Sequence, residues 1–262
     1  MRIVQLTDTH VVAPGARCHG LDTGAYLAAA IAAVNALPEI DFTLVTGDLT
    51  DHGGAAEYAH FATRMAALRT PYAVVPGNHD DRDRLRAALP AHVYGAASGP
   101  RVTYALALGG LQLLVIDANL PGASPGARID AATFAWLEAR LTAEATPALL
   151  AVHQPPFPSG MPYLDVFGFG GAKRLRALLD RHPRVGRVVS GHIHCVKRER
   201  WRHALACTAP STAPQWVPLL RGRDVLLQEP GFAVHGYANG GWTTTVYRRG
   251  AGPAFEPAEV LE

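Results

Sequence analysis

Seven side chains that can bind a metal ion occur in five short polar clusters, each directly after an apolar run. They are Asp8, His10, Asp48, Asn78, His153, His192 and His194. Short apolar runs bounded by Gly or Pro are typical of buried strands in an α/β chain. In open α/β sheets, ligands bind just beyond the carboxyl ends of the strands. We therefore expect these side chains to converge at one sheet edge and to form a metal centre, with two ions.

The spacing of the clusters suggests how the ligands divide. Asp8 and His10 are two residues apart at a predicted strand end, so their side chains project from the same face and can reach one ion. Asp48 has two carboxylate oxygens and could bridge two ions. His194 lies two residues beyond His192 and could reach the other ion. Oxygen and nitrogen ligands without thiolates suit Mn²⁺, Fe²⁺ or Fe³⁺, Zn²⁺ and Co²⁺.

Each cluster alone is weak evidence for a site. An Asp-x-His pair is common in proteins, and a Gly-Asp pair after a strand is as often a turn. The Gly-Asn-His-Asp string at Gly77–Asp80 and the Gly-His-Ile-His string at Gly191–His194 are rarer. Because all the clusters occur in order, each at a predicted strand end, the sequence favours one metal site over unrelated turn residues.

The elements that must position these residues alternate along the chain. The predicted helices are Thr23–Leu37, Ala55–Leu68, Ala131–Leu141 with Asp130 as its N-cap, and Lys173–Arg181. Two strand pairs around Gly-containing turns predict hairpins: Val102–Leu108 with Leu111–Ile116, and Phe232–Tyr237 with Trp242–Tyr247. The sequence predicts one mixed α/β domain over residues 1–262, with two sheets, outer helices and a C-terminal hairpin at about 232–248.

Three irregular stretches are longer than simple connections need: Val11–Asp22, Leu120–Ile129 and Pro155–Gly171. Long loops without secondary structure are usually functional in a compact domain. The third follows His153 directly, carries few charges and is rich in aromatic and apolar residues. We expect it to overhang the metal centre and to contact substrate through Tyr163 and Phe167.

Composition excludes several classes of protein. A chain of 262 residues can build a deep core, and 24 basic against 22 acidic residues argue against a nucleic-acid or membrane-surface partner. Three scattered cysteines are too few for a disulfide framework or a thiolate zinc site. Met1 runs straight into the first strand, leaving no room for a signal peptide, and the longest apolar stretch, Tyr26–Val34, cannot span a bilayer. We expect a soluble, cytoplasmic protein; a homo-oligomer is left open.

The ordered series D-x-H, G-D, G-N-H-D, H and G-H-x-H resembles that of the calcineurin-like metallophosphoesterase superfamily. The longer strings GDLTD at Gly47–Asp51 and HQPP at His153–Pro156 are similar to one branch of it. That branch contains the class III cyclic nucleotide phosphodiesterases and the bacterial glycerophosphodiesterases. The chain departs from many members at Gln154, where they have a second His.

The resemblance implies a site and a fold. It implies a first ion held by Asp8, His10, Asp48 and His194, and a second held by Asp48, Asn78, His153 and His192. The fold would be the α/β/β/α sandwich of two sheets flanked by helices. His79 would not bind metal but would face the substrate beside Asn78. There it would protonate or stabilise the leaving oxygen, or orient a neighbouring group.

The expected function is a metal-dependent phosphodiesterase for small diesters, with 3',5'-cyclic nucleotides first, acting by attack of a metal-bridging hydroxide. The alternative is a glycerophosphodiesterase or a phosphodiesterase of broad specificity. A nuclease is disfavoured because no basic stripe is evident, and a protein phosphatase because no regulatory segment is present. From other classes, a non-catalytic metal-binding scaffold or a redox iron protein stays open.

Overall fold

Two β-sheets, layered face to face, organise the part of the chain that the computed structural model describes: residues 1–94, 99–214, 216–218, 224–226, 229–250 and 254–261. The strands are β1 Arg2–Leu6, β2 Phe42–Val45, β3 Tyr72–Val74, β4 Tyr104–Leu108, β5 Leu111–Val115, β6 Ala127–Arg128, β7 Ala148–Ala151, β8 Phe169–Gly170, β9 Val185–Ser190, β10 Arg198–Arg200, β11 Leu205–Thr208, β12 Trp216–Pro218, β13 Asp224–Leu226, β14 Gly231–Ala238, β15 Gly241–Arg249 and β16 Phe255–Val260. The helices are α1 Thr23–Ala36, α2 Ala55–Met65, α3 Arg82–Ala88, α4 Ala131–Ala143, α5 Pro162–Asp165 and α6 Ala172–Asp180, with a 3₁₀ turn at Pro90–His92.

The first sheet has the order β16-β15-β14-β1-β2-β3, and the second β10-β11-β9-β7-β5-β4. Strands β1, β2 and β3 run parallel, as do β5, β7, β9 and β11, so the carboxyl ends of each set lie at one edge. The predicted hairpins are β4 with β5 and β14 with β15. The predicted α/β fold with two sheets is confirmed.

Successive side chains of the second sheet point to opposite faces, and both faces are apolar, which explains why this sheet lies between the first sheet and the helices. Leu113 and Val115 pack in the core that contains residues of the first sheet, of α1 and of α2. Leu114 and Leu150 point the other way and pack with residues of α4 and α6. Strands apolar on both faces are typical of a sheet covered on both sides.

Local sequence explains where helices begin. Asp130 accepts a hydrogen bond from the backbone N–H of Thr133 at 2.8 Å and caps α4, as predicted. Asp81 caps α3, a helix that the sequence pattern did not predict because it spans only Arg82–Ala88. Among the described residues, no helix is both long and apolar enough to cross a membrane.

Two of the loops predicted to be irregular carry secondary structure. The stretch Pro155–Gly171 contains α5 and β8, and Leu120–Ile129 contains β6. Strands β6 and β8 pair in parallel and join the two loops to each other. The prediction was wrong because a two-residue strand has no periodicity to detect. Strand β16, also unpredicted, extends the C-terminal hairpin at the sheet edge.

Candidate metal centre

The seven predicted ligands lie where the carboxyl ends of the two sheets face each other. In the first sheet Asp8 and His10 follow β1, Asp48 follows β2 and Asn78 follows β3; in the second, His153 follows β7, and His192 and His194 follow β9. The expectation of a single sheet edge was wrong. Sequence patterns identify strand ends but not which strands share a sheet.

The ligand backbones adopt an uncommon conformation. Asp8, His10, Asp48, His192 and His194 all have positive φ, between 40° and 68°. Such angles are rare outside glycine and store about 1–3 kcal/mol of strain each, which proteins retain mainly at functional sites. Because β1 ends at Leu6, strand pleating does not place Asp8 and His10 on one face, as the sequence had suggested. Left-handed turns direct these side chains instead.

Two motif glycines allow the strand ends to approach. A Cβ on Gly77 would overlap the backbone nitrogen and a carboxylate oxygen of Asp48. A Cβ on Gly191 would overlap the Thr7 hydroxyl and come within 2.6 Å of Oδ2 of Asp8. Gly191 therefore lets β9 of the second sheet meet the end of β1 in the first.

Asp8, His10, Asp48 and His194 form one cluster, in which the possible ligand atoms all lie within 4.8 Å of one another. Nε2 of His10 is 3.1 Å from Nε2 of His194 and 3.6 Å from Oδ2 of Asp48. Nδ1 of His10 donates to Oδ1 of Asp51 at 3.0 Å, so Nε2 is the ring nitrogen that can offer an electron pair to a cation. These are the four residues that the resemblance assigns to a first ion.

Asp48, His153 and His192 form a second cluster with the same close spacing. Nδ1 of His153 donates to the carbonyl oxygen of Thr46 at 2.8 Å, so Nε2, which lies 3.2 Å from Oδ2 of Asp48, is the ring nitrogen that can offer an electron pair to a cation. Within the described residues, neither His153 Nε2 nor the buried Oδ1 of Asn78 has a hydrogen-bond partner. Buried electron-pair donors that face one another fit a bound cation, so the residues present suit a metal.

The electrostatics of the site agree with this fit. Burial opposes the charge of Asp48, but His153 nearby holds the pKa of the Asp48 carboxyl well below its ordinary value. Burial also opposes the charge of His153, yet the Asp48 carboxylate raises the pKa of that imidazole to about 9. Burial, with the charge of neighbouring histidines, lowers the pKa values of His192 and His194 to about 3. The Asp48 carboxylate thus attracts a cation, either a proton on His153 or a metal that would displace that proton. His192 and His194 stay neutral, as metal ligands must.

His79 lies beside the first cluster and, with His10 and Asp51, forms another group whose possible ligand atoms lie within 4.8 Å of one another. Its backbone N–H donates to Oδ1 of Asp48 at 2.9 Å, and its ring Nδ1 donates to the carbonyl oxygen of Asp51 at 2.8 Å. The ring meets that of His10 edge to face, with 4.9 Å between centroids. The side chain is 39% exposed, and Nε2 is the ring nitrogen left for a ligand.

Sequence reasoning missed two residues that hold the site together. Asp51 fixes the rings of His10 and His79 through its carboxylate and its carbonyl. Asp80 accepts from the backbone N–H groups of Gly77 and Leu49 at 2.8 and 3.1 Å, and so ties the end of β3 to the end of β2. Burial raises the pKa of Asp80 to about 6. Both lie in the GDLTD and GNHD strings, which was the signal available.

A cavity of about 580 Å³ opens over the two clusters. Tyr163 of the predicted overhanging loop lines it and is 43% exposed. Phe167 does not line this cavity and is 52% exposed, so its placement gives the predicted substrate contact no support. Asn78 and His79, the other predicted contacts, both line the cavity.

Sequence relatives include two kinds of phosphodiesterase. The chain is 33% identical to the glycerophosphodiester phosphodiesterase GpdQ of Enterobacter lignolyticus, over 82% of this chain and 78% of the relative. It is 31% identical to the 3',5'-cyclic adenosine monophosphate phosphodiesterase CpdA of Escherichia coli K12, over 100% and 94%. A probable cyclic nucleotide phosphodiesterase of Rhodopseudomonas palustris is 35% identical over 77% and 74%.

Solved structures agree on the fold. A dimetal phosphatase from Danio rerio superposes with a TM-score of 0.72 at 14% identity, covering 99% of this chain and 97% of that one. GAP50 of Plasmodium superposes with a TM-score of 0.65 at 17% identity, covering 100% and 88%. Residues 1–196, which contain all seven predicted ligands, match the family model of the calcineurin-like phosphoesterases. The chain belongs to the calcineurin-like phosphoesterase family.

Proposed function

We propose that the protein is a metal-dependent phosphodiesterase for small diesters, with 3',5'-cyclic nucleotides as its first substrates. The observation that carries this proposal is the convergence of buried electron-pair donors beneath an open cavity. Family membership and this donor set support divalent metal binding. A pair of ions, taken from Mn, Fe, Zn or Co, is the finer part of the proposal.

The two clusters suggest how two ions would be held. Asp8, His10, Asp48 and His194 would hold one ion, and Asp48, Asn78, His153 and His192 would hold the other, with Asp48 shared. Such ions, when bound, acidify a water and neutralise phosphoryl charge. The protein keeps the Asp48 carboxylate ionised through the nearby His153. Asp51 and the Thr46 carbonyl hold the Nδ1 protons of His10 and His153, which directs Nε2 of each ring inward.

His79 is proposed to protonate the leaving oxygen or to donate a hydrogen bond to it. Because Nδ1 donates to the Asp51 carbonyl, a second proton on this ring would sit on Nε2. The leaving alkoxide of a diester needs a proton or a strong hydrogen-bond donor. His79 lines the cavity beside the clusters without belonging to the proposed ligand sets, so it can supply one.

The cavity supports a small substrate. Its volume of about 580 Å³ lies in the range of small-molecule sites. Tyr163 offers an aromatic surface, and stacking of a base on one aromatic ring is worth about 1–3 kcal/mol. That interaction would favour cyclic nucleotides with little discrimination between bases. The relative GpdQ supports the alternative, a glycerophosphodiesterase.

We also propose that the protein works in the cytoplasm and without nucleic-acid partners. Its cysteines, Cys18, Cys195 and Cys207, are buried and unpaired, which suits a reducing compartment. A net charge of +2 gives no general attraction for a polyanion. The seven donors are all present, which argues against a non-catalytic scaffold.

Turnover by protein loaded with defined metals tests the proposal. The panel is cAMP, glycerophosphocholine and bis(p-nitrophenyl) phosphate, with Asp48→Ala as the inactive control. We expect the unmodified protein to hydrolyse cAMP and the synthetic diester, and Asp48→Ala to hydrolyse neither. Activity on glycerophosphocholine without cAMP would favour the alternative, and no turnover of any diester would overturn the proposal.

A further inference from the structure

A second cavity, of about 330 Å³, lies beside the one over the metal centre. The two share four lining residues: Pro125, Leu164, His192 and Ile193. His192 is one of the proposed metal ligands. A phosphorus atom held at the metal centre would therefore border both cavities.

Gln154, the residue that departs from the family pattern, lines this second cavity in a fixed orientation. Nδ2 of Asn119 donates to the carbonyl oxygen of Pro76 at 2.7 Å, and a carbonyl can only accept. Oδ1 of Asn119 must therefore face Gln154, whose Nε2 donates to it at 2.8 Å. The relay turns Oε1 of Gln154 away from Asn119. That oxygen is buried and has no partner within the described residues.

Trp201 supplies the complementary group. Its side chain also lines the cavity and is 3% exposed, and its Nε1–H has no acceptor in the described part of the chain. Buried polar groups are normally paired, so an unpaired acceptor and an unpaired donor on two residues that line one cavity point to a missing partner.

Three of the four acidic and basic side chains that line the cavity are satisfied by the protein, and the fourth, Lys173, is exposed to solvent. The Asp165 carboxylate accepts from the backbone N–H groups of Ser159 and Gly160 at 2.8 and 2.9 Å. Arg176 pairs with Glu199 at 2.6 Å, and Lys173 stands at the exposed rim. The interior therefore suits a neutral polar group more than an ion. A hydroxyl group can donate to Gln154 Oε1 and accept from Trp201 Nε1.

We propose that the second cavity binds the retained alcohol arm of a linear phosphodiester, and that this arm carries a hydroxyl group. The inference rests on the proposed function. His79 lines the larger cavity and not the second, so the leaving oxygen belongs in the larger one. Water adds at phosphorus, the bond to the leaving oxygen breaks and that oxygen takes a proton. The other ester arm keeps its bond and occupies the second cavity. In a cyclic nucleotide both ester oxygens belong to one ring, so this cavity distinguishes linear diesters.

A matched pair of p-nitrophenyl diesters tests the assignment, one with a 3-hydroxypropyl arm and one with a propyl arm. The protein should prefer the hydroxylated ester, and Trp201→Phe should reduce that preference, as a ratio of kcat/KM values, by about threefold to tenfold. Trp136→Phe, a tryptophan outside the cavity, should leave the ratio unchanged. An equal ratio in the unmodified protein and Trp201→Phe would overturn the proposal.

A binding measurement separates this inference from the proposed function. Glycerol 1-phosphate and propyl phosphate are added to zinc-loaded protein labelled with ¹⁵N-tryptophan, and Trp201→Phe identifies the Trp201 indole N–H resonance. Glycerol 1-phosphate should shift that resonance and propyl phosphate should not. If other resonances report binding of both phosphates while the Trp201 resonance stays in place, the inference fails even where diester hydrolysis is active. Absent hydrolysis with a shifted resonance would overturn the proposed function alone.

Discussion

Hydrogen-bond direction at single residues determines what the metal centre can do. Nδ1 of His79 donates its proton to the Asp51 carbonyl oxygen at 2.8 Å, so Nε2 is the ring nitrogen left for a ligand in the cavity. If Nε2 of His79 donates to the leaving oxygen, His79→Ala should slow hydrolysis of alkyl diesters by about 10²–10⁴-fold. It should slow p-nitrophenyl diesters far less, since p-nitrophenolate leaves without a proton. Steady-state kinetics on both classes provide the measurement. Equal losses would mean that His79 binds phosphate in the ground state instead.

Asp48 is the residue shared by the two clusters, with Oδ2 3.6 Å from His10 Nε2 and 3.2 Å from His153 Nε2. Asp48→Ala should therefore weaken the binding of both proposed ions, whereas Asn78→Ala should weaken the binding of only one. Metal analysis after equilibrium dialysis at limiting manganese measures this directly. Unmodified protein should approach two ions per chain, the Asn78 variant one and the Asp48 variant fewer. A saturated value near one for the unmodified, active protein would contradict the two-ion assignment.

At the scale of elements, the sequence predicted the strand ends but not the turns that follow them. Runs such as Leu149–Val152 are apolar on both faces, so their burial could be predicted. The left-handed conformations of Asp48 and His192 could not, because nothing local requires a positive φ at an Asp or a His. Those conformations persist because the opposite sheet holds them. The Asp8 carboxylate, for example, accepts from the His192 backbone N–H at 2.9 and 3.0 Å.

The contact between the ends of β9 and β1 leaves no room at Gly191. Gly191→Ala should separate the two strand ends, lower the free energy of unfolding by about 1–3 kcal/mol and weaken metal binding. Gly110→Ala, in the turn of the β4–β5 hairpin, is the matched control. A Cβ there meets no atom within 4 Å, although its φ of +91° costs some stability. Urea unfolding measures the stability of both variants, and manganese titration should show reduced metal affinity only for Gly191→Ala. Unchanged manganese affinity of Gly191→Ala would refute the close approach of the two strand ends.

At the scale of the whole molecule, a buried polar network joins the two sheets behind the metal centre. Gln5 of β1 donates through Nε2 to the Thr46 hydroxyl and to the carbonyl oxygen of Ser190 in β9, both at 2.8 Å. Oε1 of Gln5 must then accept, and it faces Nε2 of His235 in β14 at 2.9 Å. Sequence reasoning could recognise the β14–β15 hairpin but not this network, because its members are far apart in the chain and lie on different sheets.

The network makes stability depend on pH through His235. The ring is fully buried, and because its pKa is lowered it is neutral at pH 7. With Nε2 donating to Gln5, Nδ1 then accepts from the Thr244 hydroxyl at 2.9 Å. Burial, with the charge of Arg187, lowers the pKa of His235 to about 3, whereas an unfolded His titrates near 6.5. Between these values the unfolded chain binds the extra proton. The contribution of His235 to the free energy of unfolding is therefore complete above pH 6.5 and is lost as pH falls toward 3, by up to about 1.4 kcal/mol per pH unit.

Urea unfolding of chelator-treated protein at pH 7, 6 and 5 measures this. The free energy of unfolding should decline with falling pH less steeply for His235→Gln than for the unmodified chain. His203→Gln, at an exposed histidine in the turn between β10 and β11, should keep the original decline. Parallel declines in the unmodified chain and His235→Gln would show that this histidine does not carry the acid sensitivity of the sheet interface.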